Sequence, residues 1–246
     1  MQFETILQEN NGPIATIIMN RPDALNALNI QVFKDLTACL LAIAKNREIR
    51  VVVIKGAGER AFVAGADIKE MADIKGAMSS ERSYLGMHVY DLLRHIPQPV
   101  IASINGYALG GGMLLAMACD IRVAAEGATF GYPEIKLGIF PGTGGTILLD
   151  RLIGSANARA ICLTGELFDA PRAYQLGLVT HLVAKDALVA ETARLAELMA
   201  GYSPVALHET KCALNASLEM AFEAAREAEV AAHARCEGVP IIGDIE

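Results

Sequence analysis

Apolar runs and polar punctuation alternate through the first half of the chain. Residues 2–7 and 14–19 ("IATIIM") read as two strands across the turn signal Asn10-Asn11-Gly12-Pro13. Behind Pro22 and Asn29, residues Val32, Leu36, Cys39, Leu40 and Ile43 recur at helical spacing and predict an amphipathic helix. The stretch from Ile49 to Gly56, apolar but for Arg50 and Lys55, predicts a continuous buried strand ending in Gly-Ala-Gly. Residues 80–95 read as a second helix, ended by Pro97 and Pro99, and "VIASI" (100–104) as the next buried strand. Asn105-Gly106 then turns the chain into a glycine cluster and a helix over 113–118. "IRVAA" (121–125) predicts another strand, and 128–146 is loop-rich. Helical patterns dominate after about 146, with a short strand at 178–183 and long helices rich in Ala, Glu and Leu over 187–235. Strands alternating with helices, followed by helices alone, predict an α/β core over 1–190 and a helical section over 191–246.

Composition narrows the class. Of 246 residues 53% are hydrophobic and 20% charged, enough for a sizeable core and too apolar for disorder. The net charge of −7 leaves no basic footprint for nucleic acid; the densest basic patch is Lys45, Arg47 and Arg50. The five cysteines are widely spaced, without CxxC, which fits a reducing compartment. The N-terminal stretch carries acids and no basic region ahead of an apolar run, so it does not read as a signal peptide. The longest apolar stretch, 107–119, is too short for a membrane helix. A soluble cytoplasmic protein with no membrane partner is the expectation.

Three loops carry candidate chemistry. In "GYALGGG" the glycines Gly110, Gly111 and Gly112 open into the helix, where free backbone N–H groups suit an oxyanion. A tight turn is the plainer use of such a cluster. It matches neither GxGxxG nor a Walker loop, and the same holds for Gly56-Ala57-Gly58 and Gly142-Thr143-Gly144-Gly145. A second loop, "ERAFVAGADIKEM" (59–71), follows the strand at 49–54; Ala64, Gly65 and Ala66 would let a carbonyl approach closely. Two such junctions in one parallel sheet would put their donors at the same end. Asp67 there reads equally as a structural residue and as one facing a ligand. The third loop, "GYPEIKLGIFPGTGG", holds Glu134 among Tyr132, Ile135, Leu137 and Ile139, a setting for a raised carboxyl pKa. The five histidines show no metal spacing, HExxH and GxSxG are absent, and no metal site is predicted. His181 reads as structural, and Asp120 as a cap or ion-pair partner.

Together, "AFVAGADIKEM", "PVIASINGYALGGG…LAMACDIRVAAEGATFGYPEIKLGIFPGTGGT" and "LTGELFDAPRAYQLGLVTHLV" resemble the enoyl-CoA hydratase/isomerase (crotonase) superfamily, from about residue 3 to about 235. The resemblance implies a crotonase-like spiral of ββα units followed by a helical trimerisation region, hence a trimer or a dimer of trimers. It implies an acyl-CoA thioester as substrate, with coenzyme A part of that substrate and no separate cofactor. The Ala66 and Gly111 amides fall on the family's oxyanion-hole positions. Ala24, Leu25, Ala64, Gly65, Asp67, Ile68, Lys69, Gly110, Leu114, Pro133, Pro141 and Gly142 fall along the substrate and its coenzyme A arm.

Family hydratases carry two glutamates, in patterns like GGGxE and PE. Here the first position is Leu114 and the second is Glu134. Syn addition of water needs one group to deprotonate a water and a proton for Cα. A 3-to-2 double-bond shift needs one base that takes a proton from Cα and returns it at the γ-carbon. Isomerisation with Glu134 as sole acid/base is therefore the expected reaction, with Leu114 lining a dry pocket. The alternatives are hydration with one carboxylate, other enolate chemistry such as thioester hydrolysis, decarboxylation or C–C cleavage, and a non-catalytic CoA-ester binder. Three further departures stand out: Ile147 and Leu148 replace two polar positions of GGTQRL, Asp23 replaces a lysine, and "RCEGVPIIGDIE" lacks the usual basic segment that covers the CoA pocket.

Overall fold

The computed structural model describes residues 2–73 and 77–237. β1 (Ile6–Asn11) and β2 (Ile14–Met19) form an antiparallel hairpin that turns at Gly12 (φ +54°). A short 3₁₀ turn, Pro22–Ala24, follows, and α1 (Ile30–Lys45) begins where the Asn29 side chain accepts from the Val32 N–H. Then come β3 (Val51–Gly56), β4 (Ala61–Val63), α2 (Ile68–Asp73), α3 (Ala77–His95), β5 (Val100–Ile104), β6 (Tyr107–Leu109), α4 (Gly111–Ala118), β7 (Ile121–Ala125) and β8 (Thr129–Gly131). A 3₁₀ turn at Pro133–Leu137 leads to α5 (Gly145–Ile153), α6 (Ser155–Thr164), β9 (Phe168–Asp169), α7 (Ala170–Gln175) and β10 (His181–Val183). α8 (Leu188–Ala200), α9 (Pro204–Glu219) and α10 (Phe222–Cys236) complete the described chain.

The strands form two sheets, one ordered β1-β2-β3-β5-β7-β10 and the other β4-β6-β8-β9. β3, β5 and β7 each continue, after a bend, into β4, β6 and β8 of the second sheet. The chain thus lays one strand in each sheet per turn, and each pair is followed by helix. β4, β6 and β8 run parallel, so their carboxyl ends share one edge. The core between sheets and helices is built from α1's buried stripe, both strands' inward faces and nearly all of α4.

Several expectations shift. The first strand starts at Ile6 rather than residue 2, and the third pairs from Val51 rather than Ile49. β10 covers only 181–183; Leu178 and Val179 are buried in the turn before it, so their apolar character reflects packing rather than pairing. The whole second sheet went unpredicted, because strands of two or three residues carry no period. The boundary expected at 190–191 falls inside α8, whose Leu188, Leu195 and Ala196 pack on Val51, Val53 and Ile101 of the main sheet. α9 and α10 are the helices that leave the core. Residues 238–246, which hold most of the atypical C-terminal stretch, lie outside the described residues.

Two buried polar clusters brace this frame. Lys211 on α9 pairs with Asp120 (2.9 Å) and donates to the Leu93 and Gln98 carbonyls, which confirms Asp120 as an ion-pair partner. Arg122 on β7 donates to the Leu178 and Cys119 carbonyls. Among the described residues no helix is long and apolar enough to cross a membrane, and no group of His, Cys, Asp or Glu is placed to hold a metal.

Candidate active site

The three loops converge because each follows a parallel strand of the small sheet. β4 delivers Ala64-Gly65-Ala66, β6 delivers Gly110-Gly111, and β8 delivers Tyr132-Pro133-Glu134. The placement beyond carboxyl ends holds as expected, but in the second sheet rather than in the sheet of 49–54 and 100–104. All three loops line one cavity of about 240 Å³.

The first loop is held from below. Leu28 N–H donates to the Gly65 carbonyl (2.8 Å), Asp67 N–H to the Leu28 carbonyl (2.9 Å), and Ala64 N–H to the Leu25 carbonyl (3.1 Å). That ladder uses the groups on either side of Ala66 and leaves the Ala66 N–H out. Arg21 clamps the same loop, donating to Asp67 (2.8 Å) and to the Ala27 carbonyl (2.6 Å). Burial alone would raise the Asp67 pKa; the Arg21 bond and the Lys69 and Glu70 amides hold it below its ordinary value. Asp67 is therefore a structural clamp.

The second loop brings the Gly111 N–H to the first position of α4, where a helix amide has no intrahelical acceptor. Gly110 must be glycine twice over. Its φ is +53°, and a Cβ there would stand 2.6 Å from Glu134 Oε1. At Gly112 a side chain would collide with the Val63 carbonyl, so the start of α4 can press against the end of β4 only without one. Tyr90 of α3 donates to the Gly111 carbonyl (3.2 Å) from the other side.

Glu134 opens the 3₁₀ turn after β8 and is half-buried. Burial raises its carboxyl pKa above the ordinary value. Its Oε2 is fully buried with no hydrogen-bond partner among the described residues, and the same is true of Tyr132 Oη. The rest of the wall is largely apolar, with Leu28, Phe33, Met71, Leu114 and, at an exposed rim, Ile68, Leu137, Ile139 and Phe140, but it also carries Arg82, Ser83 and Thr143. Leu114 is 3% exposed, so the position that holds a second carboxylate in the pattern GGGxE is buried hydrocarbon here.

The cavity thus gathers Ala64, Gly65, Ala66, Ile68, Gly110, Gly111, Leu114, Pro133, Glu134, Pro141 and Gly142. Ala24, Leu25, Asp67 and Lys69 stand outside its wall. Ala24 and Leu25 form the 3₁₀ turn and its left-handed end beneath the first loop, and Lys69 is exposed on α2. Phe33, Arg82, Tyr90 and Phe140 line the cavity without standing out in the sequence, and Tyr132 stood out only as a neighbour of Glu134. Their helical or loop positions read as ordinary core or surface, and no local pattern marks them. Such a site offers two backbone donors to a developing oxyanion and one carboxylate of raised basicity beside it, on a largely apolar wall that also carries Arg82, Ser83 and Thr143. A single such donor is worth about 3 kcal/mol of transition-state stabilisation.

Known proteins resemble this chain over nearly its whole length. A short-chain-enoyl-CoA hydratase of Clostridium acetobutylicum is 38% identical over 236 residues, 96% of this chain and 90% of that one. A crotonyl-CoA hydratase of Syntrophomonas wolfei is 36% identical, covering 96% of this chain and 91% of its own. The crystal structure of an enoyl-CoA hydratase from Bacillus anthracis superposes with a TM-score of 0.92 at 35% identity, covering 94% of this chain and 90% of that one. The profile of the enoyl-CoA hydratase/isomerase family matches residues 9–237, and this chain belongs to that family.

Proposed function

We propose that the protein moves the double bond of an enoyl-CoA thioester from the 3- to the 2-position, using Glu134 as its only acid/base. The observation that carries this reading is the single carboxylate: Leu114 and Glu134 line the same cavity, and one of them cannot handle a proton. The thioester oxygen would sit between the Ala66 and Gly111 amides. Glu134 would take a proton from Cα, the charge would spread as a dienolate onto the oxygen in the hole, and the same carboxyl would deliver the proton to the γ-carbon. The bond between Cβ and Cγ becomes the bond between Cα and Cβ, and no other atom is gained or lost. A carboxyl of raised pKa suits both halves, because base and conjugate acid lie closer in energy at neutral pH.

Hydration of a 2-enoyl-CoA is the second reading. It is favoured by the names of the relatives, several of which are called hydratases. Within the cavity, Glu134 Oε2 and Tyr132 Oη are the unpaired acceptor and donor that a water would use.

Ultraviolet absorbance of the conjugated enoyl thioester separates the two. We expect absorbance to rise with a 3-enoyl-CoA and to stay flat with a 2-enoyl-CoA. A fall with the 2-enoyl substrate would assign water addition and overturn the isomerase reading. Leu114→Glu, which supplies the second carboxylate, is then expected to create or raise hydration.

A further inference from the structure

Arg82, on α3, lines the cavity together with Gly86 and Tyr90. It is half-buried, and among the described residues it has neither an ion pair nor a hydrogen-bond acceptor. Three nearby acids in sequence or on the first loop have other partners. Glu81 faces Lys34 (3.9 Å), Asp67 holds Arg21, and Glu70 accepts from the Ile30 N–H. Glu134, the carboxylate of the same cavity, forms no ion pair with it. A guanidinium without a partner among the described residues, on a wall that includes Leu28, Phe33, Met71 and Leu114, is free to pair with an anion that enters the cavity. Its flat fork matches a carboxylate with two parallel hydrogen bonds.

The anion has two sources in an acyl-CoA: a phosphate of the coenzyme, or a carboxylate on the acyl chain. The cavity decides between them. Arg82 shares its wall with Tyr90, whose hydroxyl rests on the Gly111 carbonyl (3.2 Å), so both belong to the space around the oxyanion hole. The pantetheine arm separates the thioester from the phosphates by many bonds, so an anion bound beside the oxyanion hole comes from the acyl part. A carboxylate a few carbons beyond the thioester fits. We propose that Arg82 is a specificity-determining residue that binds a carboxylate at the far end of the acyl chain, so that the preferred substrates are mono-CoA thioesters of short dicarboxylic acids. The orientation of the chain rests on the enolate reading above.

The test is the ratio between paired ligands of equal carbon number. Wild-type protein is titrated with hexanedioyl-CoA and hexanoyl-CoA, which bind without reacting, and assayed with 3-hexenedioyl-CoA and 3-hexenoyl-CoA. We expect both the affinity and kcat/KM to favour the dioyl member by on the order of 10- to 100-fold, the usual worth of a charged hydrogen-bonded contact. Arg82→Met should collapse both ratios toward one, and Arg82→Lys should restore part of them; melting curves show that the variants fold. A wild-type protein without preference would overturn the proposal. So would an Arg82→Met protein that weakens both members equally, which would place the guanidinium on the coenzyme or in the fold. If neither 3-enoyl thioester is turned over while the binding ratio holds, the isomerase reading falls and the role of Arg82 stands.

Discussion

Glu134 and Gly110 form one unit. The carboxylate rests against a residue without a side chain, and its Oε2 is buried without a partner. The burial raises the proton affinity of the group. Glu134→Gln keeps the shape and removes the base, so turnover is expected to drop on the order of a thousandfold while an unreactive acyl-CoA still binds. The wild-type pH profile carries the same signature. The base form must be present in the free enzyme, so kcat/KM falls as pH drops through the Glu134 pKa. Burial raises that value, so the acidic limb lies above the ordinary carboxylate range. A limb at or below that range would mean that another group limits the rate. At this scale the sequence was most informative where a residue type is dictated by chemistry. The glycines, Ala66 and Glu134 were legible from loop composition and resemblance, and Leu114 from the place it occupies. Arg82 and Tyr90 were not, because a charged and an aromatic residue on a helix look alike whether they face water, core or ligand.

Elements with a strong period were read within a few residues. β5 (100–104) and β7 (121–125) match, since fully apolar runs between turn signals have one stable fate. β4, β6 and β8 have three residues each and exist only because their neighbours pair with them, so the information for the second sheet is tertiary. The same dependence governs α9. Its packing on the body runs through Lys211, which is 6% exposed and spends its ammonium on Asp120, the Leu93 carbonyl and the Gln98 carbonyl. Lys211→Met fills the space but orphans these acceptors, and is expected to cost about 3 kcal/mol in urea denaturation. A loss under 1 kcal/mol would mean that water reaches the carbonyls and that α9 is held by its apolar contacts instead.

At the scale of the molecule, two sheets crossed by one spiralling chain turn three sequence-distant loops into one wall. Ala66, Gly111 and Glu134 are brought together by strand order, which no local pattern encodes; resemblance supplied that knowledge to the sequence reading, and the parallel register of β4, β6 and β8 explains it. The buried oxygen of Glu134 has one more consequence, which concerns the identity of a hydrogen atom. With Oε2 buried and Leu114 and Tyr132 lining the same cavity, the carboxyl that receives a hydrogen from Cα is partly shielded from exchange with water. The atom removed is then the atom returned. A 3-enoyl-CoA labelled with deuterium at C2 should yield product carrying the label at C4, in ordinary water, as mass spectrometry would show. Label lost to the solvent would reveal exchange at the carboxyl faster than its return to carbon, and the wall would have to be counted as wet.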